Sequence, residues 1–325
     1  MKAIVCTRYG PPEVLQLREV EKPAPNDGEV LVKIHAASAN PADYHRMRGG
    51  LARLVGWLLR IPQNPRLGTD VAGRVEAVGN DVTQFKPGDE VFGACAGSFA
   101  EYAIVRENRL ALKPANTSFE AAAAVPVAAI TALQGLRDKG QIQPRQKVLV
   151  NGASGGVGTF AVQIAKSYGT EVIGVCSTRN LDMVRSIGAD HVIDYTQEDF
   201  TKNGRRYDLI YDAVGNRSVS DYRRALNPGG TCVIAGFSTL ARLFEHVVLG
   251  PLSSKVGKKK VGLMGIAKVN QKDLVFLKEL LEARKVVPVI DRRYPLGETA
   301  EAIRYLEEGH ARGKVVITVE HNNKT

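Results

Sequence analysis

Residues 147–169 read KVLVNGASGGVGTFAVQIAKSYG: a short apolar run, three spaced glycines, then a helical pattern. Val148, Leu149 and Val150 form a buried strand, Gly152, Gly155 and Gly158 turn the chain sharply, and Val157, Ala161, Ile164 and Ala165 recur at helical spacing. A second strand at 171–175 completes a β-turn-α-β unit of the length a dinucleotide site requires. Such a turn aims unpaired backbone N–H groups and the positive end of a helix dipole at one point, which suits a pyrophosphate. The spacing is Gly-x-x-Gly-x-x-Gly rather than the commoner Gly-x-Gly-x-x-Gly, so the flanking strand and helix carry the reading.

The same loop satisfies Gly-x-Ser-x-Gly through Gly152, Ser154 and Gly156, the elbow of serine hydrolases. A hydrolase would place several sheet strands before the elbow, and an acid and then a histidine after it. What precedes Gly152 is different. The first hundred or so residues lack helical periodicity and are dense in turns, with Val30, Val32, Ile34 and Ala36 alternating against Leu31, Lys33 and His35. Further short strands are expected at 71–78, 90–92 and 99–105, which makes an all-β, partly closed barrel-like unit.

From Ser118 an alanine-rich segment leads into strand runs at 148–151, 172–175, 191–194, 209–212 and 232–236, separated by helical spacers. That alternation predicts a doubly wound parallel sheet. The run 261–266 is a candidate sixth strand at the sheet edge. Helices are expected near 273–283 and 298–309, and a late strand at 314–320 that returns to the first unit.

Composition bounds the remainder. A 325-residue chain with 44% hydrophobic and 24% charged residues reads as a globular protein of two domains, and no apolar stretch is long enough to span a membrane. The chain opens directly as a strand, without a signal core, which predicts a cytoplasmic protein, although a removed transit peptide would leave the same start. The cysteines, Cys6, Cys95, Cys176 and Cys232, are widely spaced without Cys-x-x-Cys, as in a reducing compartment. Net charge is +10, and no acid occurs between His246 and Lys272, where Lys255, Lys258, Lys259, Lys260, Lys268 and Lys272 accumulate. Such a run attracts RNA, an anionic membrane surface or phosphorylated cofactors; a solvated loop beside a phosphate site is the simplest reading.

Several segments in order, KAIVCTRYGPPEVLQLRE, ASANPADY, LGTDVAGRVEAVG, FKPGDEVFG, NGASGGVG and ARGKVVITV, resemble the medium-chain dehydrogenase/reductase superfamily, and within it the zinc-free quinone oxidoreductase and enone reductase branch. The resemblance implies an α/β Rossmann domain, expected at 122–284, and an all-β GroES-like barrel domain built from 1–121 with 285–325. It also implies a homodimer through the Rossmann edge, with 261–266 as the seam. Zinc members of the superfamily ligate their catalytic metal through a Cys, a His-Glu pair and a third Cys. The matching positions here are Asn40, then Thr69 and Asp70 after Gly68, and apolar residues around Val127, which is no zinc set. No metal is expected.

The second strand ends in Ser177-Thr178-Arg179-Asn180, where an NAD enzyme would carry an acid for the ribose hydroxyls. Two hydroxyls, an amide and a guanidinium instead predict NADPH, held by Ser177 and Arg179 with Tyr195 nearby. Pyrophosphate binding falls to Gly152, Ala153, Ser154, Gly155, Gly156, Val157 and Gly158. By resemblance, Val214, Phe237 and Thr131 approach the nicotinamide, with Asn40 also lining it.

The expected reaction is hydride transfer to a quinone or the β-carbon of an enone, the substrate being a small hydrophobic carbonyl or quinone. Donors for the developing oxyanion are Asn40, Tyr44, His45 and Thr69, with Tyr44, His45 or water supplying the proton. The apolar segment 51–65 around Trp57 is either a flap over the site or a core helix. Two alternatives remain: a zinc-free NADP-dependent alcohol dehydrogenase, or a nucleotide-fold protein that binds RNA or a membrane surface through its lysines.

Overall fold

A computed structural model describes residues 1–49, 66–255 and 258–321. The expected flap or helix at 51–65 lies outside them. Fifteen strands occur among the described residues, and the chain divides into two compact units.

The first unit comprises Met1–Ala128, Val269–Arg284 and Pro288–Thr325. Its strands are β1 (Lys2–Cys6), β2 (Leu15–Glu19), β3 (Glu29–Ala39), β4 (Asp70–Val78), β5 (Glu90–Ala94), β6 (Tyr102–Arg106), β7 (Leu110–Leu112), β14 (Ile290–Pro295) and β15 (Lys314–Thr318), with β8 to β13 in the second unit. β1 and β2 form a hairpin, and the others form one sheet in the order β14-β15-β3-β4-β5-β7, with β6 also on β3. The eleven-residue β3 makes this possible by changing partner along its length. Its first half pairs with β6 and its last residues with β15, while β4 runs along the other side with register shifts at Leu31/Val32 and Ile34/Ala36. Bulges of that kind bend a strand and curl the sheet. The alternating Val30, Val32 and Ile34 are fully buried in the core beneath it.

The second unit, Ala129–Lys268 with Lys285–Val287, holds β8 (Lys147–Asn151), β9 (Glu171–Cys176), β10 (His191–Asp194), β11 (Tyr207–Asp212), β12 (Leu226–Ile234) and β13 (Lys260–Leu263). They form a six-stranded sheet ordered β10-β9-β8-β11-β12-β13, all pairs parallel. The order reverses direction at β8, which puts the glycine turn at the topological switch point where ligands bind in such sheets. The expected sixth strand is present at the edge, though it ends at Leu263, and Ile266 stands outside it, 94% exposed.

Three segments differ from the sequence expectation of a unit at 122–284, the first being 122–128, which belongs to the first unit. The helix Gln271–Glu282 belongs to the first unit: it packs on β7, and the Asn116 amide donates to the carbonyls of Leu281 and Glu282. Residues 285–287 belong to the second, where Gln163 exchanges two hydrogen bonds with the Val287 backbone at 2.8 and 3.0 Å. Helix periodicity cannot tell which sheet an amphipathic helix covers. β14 and the helix Leu240–Lys255 have no counterpart in the sequence expectation; the latter contains Pro251, which reads as a breaker.

Candidate active site

The expected site residues fall into two groups, one in each unit. In the second unit the glycine turn follows β8. Gly152 sits at φ +78°, a conformation L side chains avoid, and its N–H and that of Ala153 both donate to the Val175 carbonyl. A Cβ at Gly158 would lie 1.9 Å from the Gly152 carbonyl oxygen, so the helix Gly158–Ser167 starts hard against the turn. These contacts divide the seven expected residues by role. Gly152, Gly158 and the fully buried Ala153 shape the turn, while Ser154, Gly155, Gly156 and Val157 reach solvent in front of the helix's first N–H groups.

Ser177 and Arg179 follow β9. Tyr195 follows β10, its N–H bonded to the Cys176 carbonyl at 3.0 Å, so the three occupy neighbouring strand ends. Arg179 and Tyr195 are exposed. The Asp194 carboxylate at the same end is held below its usual range, chiefly by the Thr178 hydroxyl. Asn180, read from sequence only as the amide among the loop's polar groups, has a specific place in the structure. Buried at the end of this loop, it donates through Nδ2 to Ser154 Oγ and Ser177 Oγ, both at 3.1 Å, and so ties the glycine turn to the loop after β9. Its Oδ1 is buried with no hydrogen-bond partner, an acceptor of the kind a ribose hydroxyl satisfies.

Asp212, at the end of β11, was missed. One of its carboxylate oxygens accepts the N–H groups of Val214 and Gly215 at 2.7 Å, and the other accepts the Tyr222 hydroxyl at 2.6 Å and the Asn151 amide at 3.0 Å. Those bonds fix the loop that carries Val214, whose side chain a Cβ on Gly152 would meet at 2.7 Å. Gly215, at φ +66°, lies so close to Gly236 that a Cβ would approach its carbonyl oxygen to 2.2 Å. Val214 and Phe237 are thereby held on adjacent loops, Phe237 being 44% exposed. Thr131 is half-buried, and its carbonyl accepts the Tyr211 hydroxyl. The turn, the orphaned Asn180 oxygen and the cation at Arg179 fit a phosphorylated dinucleotide.

In the first unit, Asn40 precedes the short helix Pro41–Met47 and is buried. Its Nδ2 donates to Asp70 Oδ2 at 2.8 Å and the Ser38 carbonyl at 3.3 Å, and its Oδ1 accepts from Lys314 Nζ at 2.7 Å. Both amide protons that the sequence offers to an oxyanion are thus engaged inside the fold. Asp70 Oδ2 also accepts the Ser38 hydroxyl at 2.6 Å, and Oδ1 accepts the Val127 N–H at 2.8 Å. Lys314, from β15, completes this buried network 3.4 Å from Asp70.

Tyr44 is half-buried and His45 exposed, their ring centroids 4.4 Å apart. Burial, then the charge of Glu307, pushes the Tyr44 phenol above its ordinary range. Thr69 is partly exposed, and its carbonyl accepts the Cys95 N–H. Beneath them burial pushes the Asp43 carboxyl up to about 6, opposed by the Asn40 N–H and reinforced by Asp70.

The zinc of the wider superfamily does not fit these residues. The amide of Asn40 and the carboxylate of Asp70 are already bonded to one another and to an ammonium, and burial keeps the Cys95 thiol protonated, up to about 12. No group of three candidate ligands occurs among the described residues.

Comparison with known proteins agrees with this architecture. A family model described as alcohol dehydrogenase GroES-like domain matches residues 26–115, and one described as zinc-binding dehydrogenase matches 187–317. The chain is 36% identical to the 2-methylene-furan-3-one reductase of Solanum lycopersicum, covering 98% of this chain and 79% of that protein. It is 35% identical to a chloroplastic quinone-oxidoreductase homolog of Spinacia oleracea, covering 98% of each. Among solved structures, the quinone oxidoreductase of Coxiella burnetii superposes with a TM-score of 0.84 at 31% identity, over 98% of this chain and 99% of that one. The Escherichia coli quinone oxidoreductase in complex with NADPH gives 0.82 at 27% identity, over 98% and 100%. The turn at the switch point, the curled antiparallel unit and full-length relatives above 30% identity lead to one conclusion: the chain belongs to the medium-chain dehydrogenase/reductase superfamily, in its quinone oxidoreductase and alkenal/one reductase branch.

Proposed function

We propose that this oxidoreductase uses NADPH to reduce a quinone or an α,β-unsaturated carbonyl without a metal ion. The observation that carries the cofactor choice is the end of β9, where Ser177 and the exposed Arg179 stand in place of a ribose-binding acid. Names of relatives point the same way, since an Arabidopsis thaliana protein 35% identical to this chain is an NADPH-dependent alkenal/one oxidoreductase. When bound, the dinucleotide supplies the hydride.

The chain's own residues bind and orient. The N–H groups ahead of the helix Gly158–Ser167 would receive the pyrophosphate, Arg179 and Ser177 would hold the 2′-phosphate, and Val214, Phe237 and Thr131 would wall the reactive ring. Without a Lewis acid to polarise a simple ketone, activated acceptors are the substrates this site suits best. The β-carbon of an enone, or the ring of a quinone, would take up the hydride, and the enolate or quinol anion left behind would take a proton, at the enone α-carbon or the quinol oxygen, from Tyr44, His45 or water. Thr69 offers the remaining hydroxyl donor. The subunits pair through β13, the outermost strand of the sheet.

The deciding experiment follows NADPH and NADH oxidation against quinones, enones, saturated aldehydes and alcohols, with product identification. Reduction of quinones or of the enone C=C bond with NADPH preferred supports the proposal. Turnover confined to alcohols with NADP would replace it with the dehydrogenase reading.

A further inference from the structure

Asp70 and Asp212 are both fully buried, one in each unit, and are neutralised differently. Asp70 has the Lys314 ammonium at 3.4 Å. Asp212 forms no ion pair among the described residues; its partners are the N–H groups of Val214 and Gly215, Asn151 Nδ2 and the Tyr222 hydroxyl. The Tyr222 oxygen already accepts the Arg217 N–H at 3.4 Å, so its own proton turns to Asp212. Burial, then the Asp212 charge, pushes that phenol far above its usual range, and it keeps the proton. Four donors and no acceptor make Asp212 the carboxylate form. The one cation of the loop that follows, Arg217, places its guanidinium 3.1 Å from Asp199.

An ionised carboxylate taken from water without a counter-ion is costly, and neutral hydrogen bonds offset only part of that cost. Holding the loop does not require it, since the oxygen of an asparagine at this position can accept both backbone N–H groups. What a neutral side chain lacks is the charge. That charge stands one hydrogen bond from the backbone of Val214, the residue proposed to wall the nicotinamide ring. Loss of a hydride, with its two electrons, converts the neutral dihydronicotinamide of NADPH into the pyridinium cation of NADP+, and the acceptor carbon gains that hydride. A positive charge therefore appears on the cofactor during the step itself, and a fixed charge already in place near it acts more strongly than in water.

We propose that Asp212 is the counter-ion of the oxidised nicotinamide. It is a positioning residue: its oxygens hold the loop at Val214 and Gly215, and its charge makes the bound NADPH a stronger hydride donor than a neutral side chain would. The inference rests on the reading that Val214 lines the nicotinamide site of an NADPH enzyme.

Isothermal titration calorimetry of the full chain with NADP+, NADPH and 2′-phospho-ADP-ribose, which lacks the nicotinamide, tests this without turnover. Asp212→Asn should raise the ratio of the NADP+ to the NADPH dissociation constant about tenfold, a rise of about 30 mV in the potential of the bound two-electron couple. Binding of 2′-phospho-ADP-ribose should stay as in the wild type. Tyr222→Phe loosens the same loop and keeps the charge, so the ratio should hold even where both affinities fall. An unmoved ratio in Asp212→Asn, or the same shift in Tyr222→Phe, overturns the proposal and leaves Asp212 a structural cap. If Asp212→Asn does not fold, the wild type decides, because a site without a counter-ion disfavours the cation. NADP+ binding at least as tightly as NADPH then supports the proposal, and weaker binding overturns it. A wild type that binds none of the three ligands overturns the NADPH reading itself, whereas binding of all three with an unmoved ratio removes only the counter-ion.

Discussion

Lys314 Nζ lies 2.7 Å from Asn40 Oδ1, both side chains buried, although 274 residues separate them in the chain. The same ammonium is 3.4 Å from Asp70, which holds Ser38, Asn40 and the Val127 N–H. One cation thus neutralises and ties together β3, β4, β15 and the start of the helix Pro126–Gln134.

Lys314→Met leaves the Asp70 charge buried without its counter-ion, an arrangement that costs about 3–5 kcal/mol. Urea denaturation should show that loss. Adding Asp70→Asn to Lys314→Met should recover about half of it or more, because no buried charge then remains. A double variant as unstable as the single one would remove the charge pair as the cause.

Gly158→Ala places a methyl group 1.9 Å from a backbone carbonyl. The turn must open, at a cost of about 1–3 kcal/mol. NADPH affinity should fall at least about tenfold, the equivalent of 1.4 kcal/mol, read by quenching of protein fluorescence. Gly169→Ala, at a glycine where φ is +74° but no atom lies within 4 Å of the added Cβ, should leave affinity unchanged.

If Arg179 holds the 2′-phosphate as proposed, Arg179→Asp exchanges that cation for an acid of the kind that binds ribose hydroxyls. A charge-assisted contact contributes about 1.5–3 kcal/mol, so kcat/KM for NADPH should fall about ten- to a hundredfold while that for NADH holds or rises. Unaltered selectivity would take Arg179 out of the cofactor site.

Tyr44→Phe and His45→Ala separate the proton donors. Whichever residue protonates the product should, when replaced, lower kcat about a hundredfold, the low end of what a general acid contributes. If both variants retain wild-type kcat/KM with enones, solvent is the donor.

Asp43 gives a pH signature. Its folded carboxyl titrates at about 6, above the unfolded value near 4. Between those values the folded state binds the extra proton, so this contribution is complete below pH 4 and is lost as pH rises through 6. The stability of wild type relative to Asp43→Asn, from urea denaturation at each pH, should therefore decline by about 2–3 kcal/mol between pH 4 and 7. A difference that grows with pH would mean the carboxylate is the form the fold favours.

The glycine turn, the parallel strands and the loop after β9 were legible because each is a local pattern: apolar runs of strand length, glycines where φ must be positive, polar residues at a strand end. Asp212 and Asn180 were not, although both stand in segments that were read. Asp212 looks like the polar end of a strand, and only the packing of β8 and the helix Val219–Ala225 brings Asn151 and Tyr222 to its carboxylate. The helix Leu240–Lys255 was hidden by Pro251 and by apolar residues that face outward, which breaks the rule tying apolar spacing to a core.

By itself the sequence determined the class of fold, the parallel strands and the glycine turn between β8 and the helix that follows, since these follow from periodicity and backbone conformation. Tertiary structure alone decided which polar side chains are free to act. Asn40 reads as a donor, but its protons are engaged by Asp70 and Ser38, and its oxygen by a lysine from the far end of the chain. A buried hydrogen-bonding group takes whatever partner the register of distant strands delivers, and that register is set by packing rather than by neighbours in sequence.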